Sequence, residues 1–402
     1  MNSDESTTFQ YVKLEKGGRR YFCLQQNVAA LAWILLCQKD AMRPVSRFRP
    51  QSISPRVLFR WLRHSYSSLR RDSLLLFQFI RLKYEIRRGP KPVELPVYGH
   101  ICAPVHKGYK VFNVVGGVVR KIYDRDVETS DIAKEIDQLR STSRFDFAPR
   151  LKEFSISERW YEEEYLRGSP DNPQTPPNSG TVLRKFQGEL VQHLNRLILI
   201  DRPLRKPALY YVKECLKNVD AGLPANGGSP MGECLKTKAF LHSIVERLRA
   251  EMNRPIFLVF THGDFIPDNM VNTRGGIRLV DWEGAGYRSA LFDFYSFFFY
   301  RAVCRDVPIE TVASEIGQAF SSFVSQMSAK DPALSASAIE LEDVYRRVFY
   351  VEQICGDMRR TLTDKNLNIG DFISRHIDAY RRYEQIVKGK TASIERAQIQ
   401  TI

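Results

Sequence analysis

The sequence predicts an α+β fold in two lobes, a small mainly β lobe followed by a larger mainly helical one, with a basic helical extension in front. Three observations carry this. At 402 residues the chain is longer than one core usually supports, since single cores seldom grow past about 250–300 residues. After the linker "GPKPVELP" (89–96) the pattern changes to strands, and a polar, proline-rich stretch, "GSPDNPQTPPNSG" (168–180), separates these from a mainly helical remainder. The expected divisions are therefore 1–94, 95–168 and 169–402.

The extension is read first from its charge. Residues 1–90 carry 17 Lys+Arg against 6 Asp+Glu, while 151–402 carry 33 against 32. The excess positive charge is local, so the rest of the chain is electrically ordinary. Within the extension, residues 54–90 start with Ser54-Pro55 and stop at Gly89-Pro90, the chemistry expected of helix ends. Leu58, Leu62, Tyr66, Leu69, Leu76 and Ile80 recur at helical spacing, and Arg60, Arg63, Arg70, Arg71 and Arg81 lie largely off that stripe. Such a basic amphipathic helix can lie on an anionic membrane surface, which makes residues 41–90 a candidate membrane contact; the plainer reading is a helix packed on a lobe with its arginines in water. No nucleic-acid module accompanies the charge, so no nucleic-acid partner is expected.

The longest apolar run, "VAALAWILLC" (28–37), is half the length of a membrane span of about 20 residues, and reads as a buried helix. Seven cysteines, odd in number and never spaced as CxxC, argue against a disulfide scaffold and a zinc site. A reducing cytoplasm is the expected compartment.

In the small lobe, "GYKVFNVV" (108–115) and "VVRKIYD" (118–124) are rich in β-branched and aromatic residues and meet at Gly116-Gly117, a hairpin signal. A helix follows over 130–140 with Ile132, Ile136 and Leu139 on one face, and then a second strand pair around "RLKEFSI" and "RWYEEEYLRG". Beyond the proline-rich stretch, helices are expected at 182–200, 205–219, 233–253, 309–328, 338–360 and 370–388.

The chemistry concentrates in "THGDFIPDN" (261–269) and "DWE" (281–283). "PIFLVF" (255–260) reads as a buried strand, "MVN" and "IRLV" as a hairpin turned at "TRGG". A hairpin brings its open ends together, which predicts that Asp264, Asn269 and Asp281 converge. Oxygen ligands of this kind suit Mg²⁺. An Asp, an Asn five residues on and a later Asp at a strand end match protein-kinase logic, in which the first Asp orients or deprotonates the acceptor hydroxyl. The Asn and the later Asp then hold Mg²⁺ on the ATP phosphates. The plainer reading is a loop with Asp and Asn in turn positions, but it leaves the coincidence of spacing and flanking strands unexplained.

The motif "HGDFIPDN…VDWEGAG…LFDF" resembles that of the aminoglycoside phosphotransferase and choline kinase superfamily, which has a two-lobed protein-kinase-like fold. The resemblance spans about residues 95–390 and is most specific at 262–293. It implies Asp264 as catalytic base, Asn269 and Asp281 as Mg²⁺ ligands, His262 as support for the catalytic loop and Asp293 as a brace from the next helix. Glu283 would touch metal-bound water or substrate. In the small lobe it implies Lys121 as the residue gripping the ATP phosphates, with Glu135 on the following helix as its partner. Arg120 and Glu128 are the alternatives; because strand side chains alternate, only one of Arg120 and Lys121 can enter the cleft. "EEEYLRG" (162–168) is similar to the family's hinge, where Tyr165 or Leu166 would meet adenine through the backbone; taken alone it also reads as an edge strand with acids. The glycine-rich phosphate loop of protein kinases is absent, since "HICAPVHKGY" (100–109) carries the single Gly108.

The implied activity is an ATP- and Mg²⁺-dependent phosphotransfer to a small-molecule hydroxyl. The segment 182–253 carries Arg184, Lys185, Arg196, Arg202, Arg205, Lys206, Lys213 and Lys217, unlike the acidic lining that suits cationic acceptors. A sugar or a glycolipid or polysaccharide precursor is therefore the expected acceptor, with a choline, ethanolamine or aminoglycoside acceptor as the alternative. A catalytically idle kinase fold serving as a binding module at a membrane is the alternative of another class.

Overall fold

The computed structural model describes residues 8–14, 20–37, 73–83, 91–105, 107–170, 186–220, 231–251, 253–363 and 369–400. These form two compact units. The first contains the described residues up to 170 together with 268–283, and the second contains those from 186 to 267 and from 284 onward. The chain therefore leaves the first unit, builds part of the second, and returns for one hairpin.

The first unit is built on an eight-stranded antiparallel sheet. Its strands are β1 (Phe9–Lys13), β2 (Tyr21–Cys23), β3 (Val93–Leu95), β4 (Ile101–Val105), β5 (Gly108–Asn113), β6 (Val118–Tyr123), β7 (Leu151–Ser155) and β8 (Trp160–Glu164), in the spatial order β3, β1, β2, β4, β5, β6, β8, β7. The hairpin expected at Gly116-Gly117 joins β5 to β6. Gly117 adopts φ +68°, and the Asn113 Oδ1 accepts the Gly116 N–H at 2.9 Å. That turn sets the register, placing Asn113 opposite Val118 and Lys110 opposite Lys121. Along β6, Val119, Lys121 and Tyr123 are buried while their neighbours are less so, the alternation that a sheet with one packed face requires. The helix α3 (Thr129–Thr142) buries Ile132, Glu135, Ile136 and Leu139 on one stripe, so a carboxylate rides on its apolar face.

The N-terminal extension carries helices, as expected, and also strands. The helix α1 (Val28–Cys37) is the apolar run, and residues 73–83 form α2. In addition β1 and β2 join the sheet between β3 and β4. Leu31, Ile34 and Leu35 of α1 and Leu75 and Phe79 of α2 share one core with Val12, Phe22, Ile101 and Val119. The described part of the basic helix thus packs on the sheet of its own unit, along a stripe set by Leu75 and Phe79. Arg60, Arg63, Arg70 and Arg71, and with them most of the candidate membrane contact 41–90, lie outside the described residues. Among the described residues no helix is long and apolar enough to cross a membrane.

The first unit is completed by a three-stranded sheet in the order β13, β12, β9, with β9 at Ser169–Pro170, β12 at Met270–Thr273 and β13 at Gly276–Leu279. Here the close approach of two backbones needs a glycine: a Cβ on Gly168 would stand 2.3 Å from the Asn272 carbonyl oxygen.

The second unit is mainly helical, with one sheet in the order β10 (Leu204–Pro207), β11 (Pro255–Thr261), β14 (Gly286–Ser289). The helix expected over 182–200 is interrupted: residues 186–190 form a π-turn in which Gly188 departs from helical geometry, and α4 (Val191–Ile198) follows. The helix expected from 205 begins at Ala208, as α5 (Ala208–Asp220), because Leu204–Pro207 pair with β11 instead. Pro207 fits that junction, since it needs no N–H donor where a helix starts. Next come α6 (Met231–Leu248), α7 (Phe292–Cys304), α8 (Ile309–Ser328), α9 (Pro332–Glu340), α10 (Glu342–Thr363) and α11 (Ile369–Gln400). In α7, Phe294, Tyr295, Phe297, Phe298 and Phe299 are all buried, as expected for a helix that is apolar all round. The Tyr350 and Tyr380 rings stack at 4.2 Å between centroids, joining α10 to α11. Among the buried polar groups, Arg346 is held by Glu384 at 2.8 Å and Glu342 at 2.6 Å, and Glu352 accepts from Tyr211 Oη at 2.6 Å and the Ser289 N–H at 2.9 Å.

The docking of α2 is testable. Phe79 is fully buried, so Phe79→Ala should cost about 3–5 kcal/mol, as large-to-small core substitutions do. Urea unfolding of the whole protein measures it; a loss well under 1 kcal/mol, against that same scale, would show that α2 does not hold the core together.

Candidate active site

Two groups of the expected residues assemble, one in each unit. In the first unit they meet on the buried face of β5, β6 and β8. Lys121 is completely buried, and its Nζ donates to Glu135 Oε1 at 2.8 Å and Oε2 at 3.1 Å. The alternation of β6 decides between the two basic neighbours: Arg120 turns the other way, pairing with Glu162 at 2.9 Å and lying 4.1 Å from the Trp160 ring centroid. Glu128 is likewise elsewhere, on the exposed start of α3 beside Ser130. Glu283, expected to meet metal-bound water or substrate, directs its carboxylate to Lys121 as a second partner.

Two further residues belong to this cluster and were not anticipated. Lys110 lies opposite Lys121 in the β5–β6 register, and its Nζ reaches Asp281 Oδ1 at 3.3 Å. Glu163, on β8, is buried beside them. Both follow from strand arithmetic: once the turn at Gly116-Gly117 pairs 113 with 118, position 110 must face 121. Pairing of Lys121 with Tyr161 puts the alternate residue Glu163 on the same face.

The electrostatics of this face are unbalanced. Two ammonium groups, Lys110 and Lys121, face four carboxylates, Glu135, Glu163, Asp281 and Glu283. Burial pushes the Glu163 carboxyl up to about 7, with Lys110 opposing the shift and Asp281 and Glu135 adding to it. Glu283 is also raised, by burial and then by repulsion from Asp281 and Glu135. Burial pulls the Lys110 ammonium down, but Asp281, Glu163, Glu283 and Glu135 outweigh it and hold it above its ordinary value.

Asn269 and Asp281 stand at the open end of the β12–β13 hairpin. Met270 pairs with Leu279, and the Val280 N–H donates to the Asn269 carbonyl at 2.9 Å. Asp281 adopts φ +67°, a left-handed conformation that Asp tolerates better than most residues and that is worth inspecting when it occurs. Tyr165 and Leu166 follow β8, both buried, and the Tyr165 N–H donates to the Gly117 carbonyl at 3.0 Å.

In the second unit, the loop after β11 carries His262 and Asp264. The strand β11 pairs with β10 and β14 and not with the β12–β13 hairpin, so the hairpin gathers Asn269 and Asp281 while Asp264 belongs to a separate sheet and unit. The loop is held by its backbone: Asp293, at the start of α7, accepts the His262 N–H at 2.6 Å and the Gly263 N–H at 3.0 Å. Burial raises Asp293 to about 6, although those two N–H groups and Arg288 pull it down. The Asp264 N–H donates to His262 Nδ1 at 3.3 Å, and the buried imidazole meets the Phe265 ring edge-on. Gly263 has φ +79°, and a Cβ there would come within 2.0 Å of the Gly284 carbonyl oxygen, so no other residue fits between His262 and Asp264.

A family model described as the phosphotransferase enzyme family (APH) matches residues 116–323, more than half of the chain and all of the cluster except Lys110. The chain belongs to this phosphotransferase family. Among solved structures, a choline kinase from Cryptosporidium parvum Iowa II aligns with a TM-score of 0.51 and 14% identity, covering 72% of this chain and 90% of that one. A choline kinase from Streptococcus pneumoniae aligns at 0.46 and 13% identity over 69% and 90%, and a glucosamine kinase at 0.42 and 16% over 74% and 79%. No curated protein matches the chain. The first likeness is one of fold: this phosphotransferase has a protein-kinase-like fold, with the antiparallel sheet and α3 in one unit and the helices in the other.

A pH dependence follows from Glu163. Its carboxyl is about 4.5 when unfolded and about 7 when folded. Because the folded value is raised, the stability associated with its proton is fully present below about 4.5 and lost as the pH rises through about 7. At about 1.4 kcal/mol per pH unit of difference, the loss is on the order of 3 kcal/mol. Glu163→Gln, which cannot ionise, should become more stable relative to wild type by up to that amount between pH 4.5 and 8, in urea unfolding with EDTA present. A pH-independent difference would refute the raised carboxyl.

Proposed function

We propose that this phosphotransferase moves the γ-phosphate of ATP, together with Mg²⁺, to a hydroxyl of a saccharide, free or lipid-linked. The observation that carries the reading is the buried Lys121–Glu135 pair. A buried ammonium is costly unless it is paired, and here it is paired in the manner that presents it to the α- and β-phosphates of a nucleotide in protein kinases. An idle binding module has no need of such a group.

The residues present fit a divalent cation. Asn269 and Asp281 offer hard oxygen donors, the surplus of carboxylates on the buried face calls for further positive charge, and the Lys110 ammonium already stands against Asp281. Among the described residues no group of three or more His, Cys, Asp and Glu has the arrangement of an all-protein metal cage. That agrees with Mg²⁺, which binds through one or two side chains and takes its remaining ligands from water and phosphate. Bound there, a divalent ion would supply neutralisation of the phosphate charge. Asn269 and Asp281 would hold it, Asp264 would accept the proton of the attacking hydroxyl, and the backbone at Tyr165 and Leu166 would meet adenine. Lys110, beside Lys121, supplies a second ammonium for the phosphates.

For the acceptor, the reading rests on the charge of residues 186–253. That segment carries ten Lys and Arg against seven Asp and Glu; Lys206 is paired with Glu214 at 2.7 Å and Arg205 lies over Phe257. Such an excess of positive charge suits neutral or anionic hydroxyl compounds better than a quaternary or primary amine.

Two measurements test the chemistry. A ligand bound to the native state alone stabilises it by about 2.7 kcal/mol at a concentration of 100 Kd, so Mg-ATP should raise the melting temperature of wild type, and Asp281→Asn should remove the part of the rise that depends on metal. Asp264→Ala should retain nucleotide binding while turnover falls by about 10²–10⁴, the usual worth of a general base. Turnover within a factor of a few of wild type would exclude Asp264 from that role. A panel of sugars, sugar phosphates, lipid-linked sugars and amino alcohols with labelled ATP tests the acceptor; transfer to amines such as choline with none to any sugar would overturn it.

A further inference from the structure

A second site lies in the first unit, on the sheet face opposite the Lys121 cluster. Consecutive strand residues point to opposite faces; Glu163 faces Lys110 and Lys121, so Glu164 faces away from them. There a cleft of about 1180 Å³ opens between the β5–β6 turn, the start of β7, the end of β8 with residues 165–168, and the β12–β13 turn. Five cations line it: Arg150, Lys152, Arg167, Arg274 and Arg278. Its one carboxylate, Glu164, is already engaged by Arg278 through a two-pronged pair at 2.9 and 3.0 Å, and accepts the Arg150 N–H at 3.4 Å. None of Lys110, Lys121, Glu135, Asp281 and Glu283 contributes to the lining.

Glu164 also acts through space on Arg150, but one carboxylate shared with Arg278 cannot offset the five positive charges of the cleft. Arg150, Lys152, Arg167 and Arg274 are exposed, and among the described residues none makes an ion pair; the Lys152 Nζ donates only to the Gly117 carbonyl at 3.3 Å. Like charges gathered in one concave wall repel each other, and a cleft of one sign concentrates counter-ions. Four of the five are arginines, whose planar forks match the paired oxygens of a phosphate group. The volume lies somewhat above the usual range of small-molecule sites, about 300–1,000 Å³, and is far larger than a single inorganic ion needs.

We propose that this cleft binds a ligand carrying a phosphomonoester or pyrophosphate group on a larger body, at a place separate from the nucleotide. The chain connecting the two sites is short: Tyr165 and Leu166 line the cleft through the same stretch that would meet adenine. Occupancy is therefore positioned to alter nucleotide affinity without touching the reacting atoms. The inference stands on the geometry of the cleft and survives if the catalytic reading fails.

The probe is inorganic pyrophosphate, titrated calorimetrically into the full-length protein with EDTA present. Arg167→Ser with Arg274→Ser, two exposed positions, should weaken its binding by about tenfold or more, the loss of two charge-assisted contacts. Arg150→Ser with Lys152→Ser should do the same, so that a folding defect in one pair leaves the other to decide. Lys121→Met should leave pyrophosphate binding unchanged. No binding at millimolar pyrophosphate, wild-type affinity in both double variants, or loss in Lys121→Met alone would overturn the proposal. Flotation on phosphatidic acid vesicles, lost in the same double variants, would identify the source as a lipid headgroup; pyrophosphate binding without flotation would identify a soluble phosphate ester.

Discussion

The first unit depends on one fully buried ammonium. Lys121 has no contact with water, so its charge must be met within the protein, and Glu135 and Glu283 meet it from a helix and from the segment after a hairpin. Removing either partner or the lysine leaves a buried charge uncompensated, which costs far more than the pair itself contributes. The sheet, α3 and the returning segment 268–283 are held in register by that requirement. The same requirement explains why the acids around it stay raised: Glu163 and Glu283 share two ammonium groups with Glu135 and Asp281, and there is not enough positive charge for all four. A site with that deficit is prepared for a cation.

The second unit solves a different problem, that of fixing a loop through its backbone amides. Asp293 holds the backbone of His262 and Gly263 by two hydrogen bonds, so the segment carrying Asp264 is oriented from its amides. Gly263 is required by the close approach of the Gly284 carbonyl. Ammonium–carboxylate pairing orders one unit, and a buried carboxylate gripping backbone amides orders the other. Each tolerates little change, the first because of desolvation and the second because of sterics.

How much of this was legible can be argued from particular residues. Lys121 and Glu135 were readable as candidates through the resemblance of the motif, with the hairpin glycines locating β6, but nothing local chose Lys121 over Arg120. Lys110 was equally available by counting across the hairpin, yet it is inconspicuous, since nothing in its own neighbours marks it. Leu204–Pro207 and Phe9–Lys13 were not legible as strands, because segments of four or five residues acquire their conformation from a partner strand far away in sequence. The interruption at Gly188 shows the converse, a local residue overriding an apolar periodicity that continues on both sides of it.

By itself the sequence determined the division into a β-rich and a helical part, the identity of the phosphotransferase motif, and the hairpin that joins Asn269 to Asp281, because all three are written in local periodicity, glycine positions and short spacings. Tertiary structure alone decided that the N-terminal segment adds two strands to the sheet and that Lys121 rather than Arg120 turns inward. It also decided that Asp264 and Asp281 belong to different units, and that arginines from three separate segments line one cleft. Those outcomes depend on which distant strands pair and which side chains can be stripped of water together, and neither is encoded in any single stretch of chain.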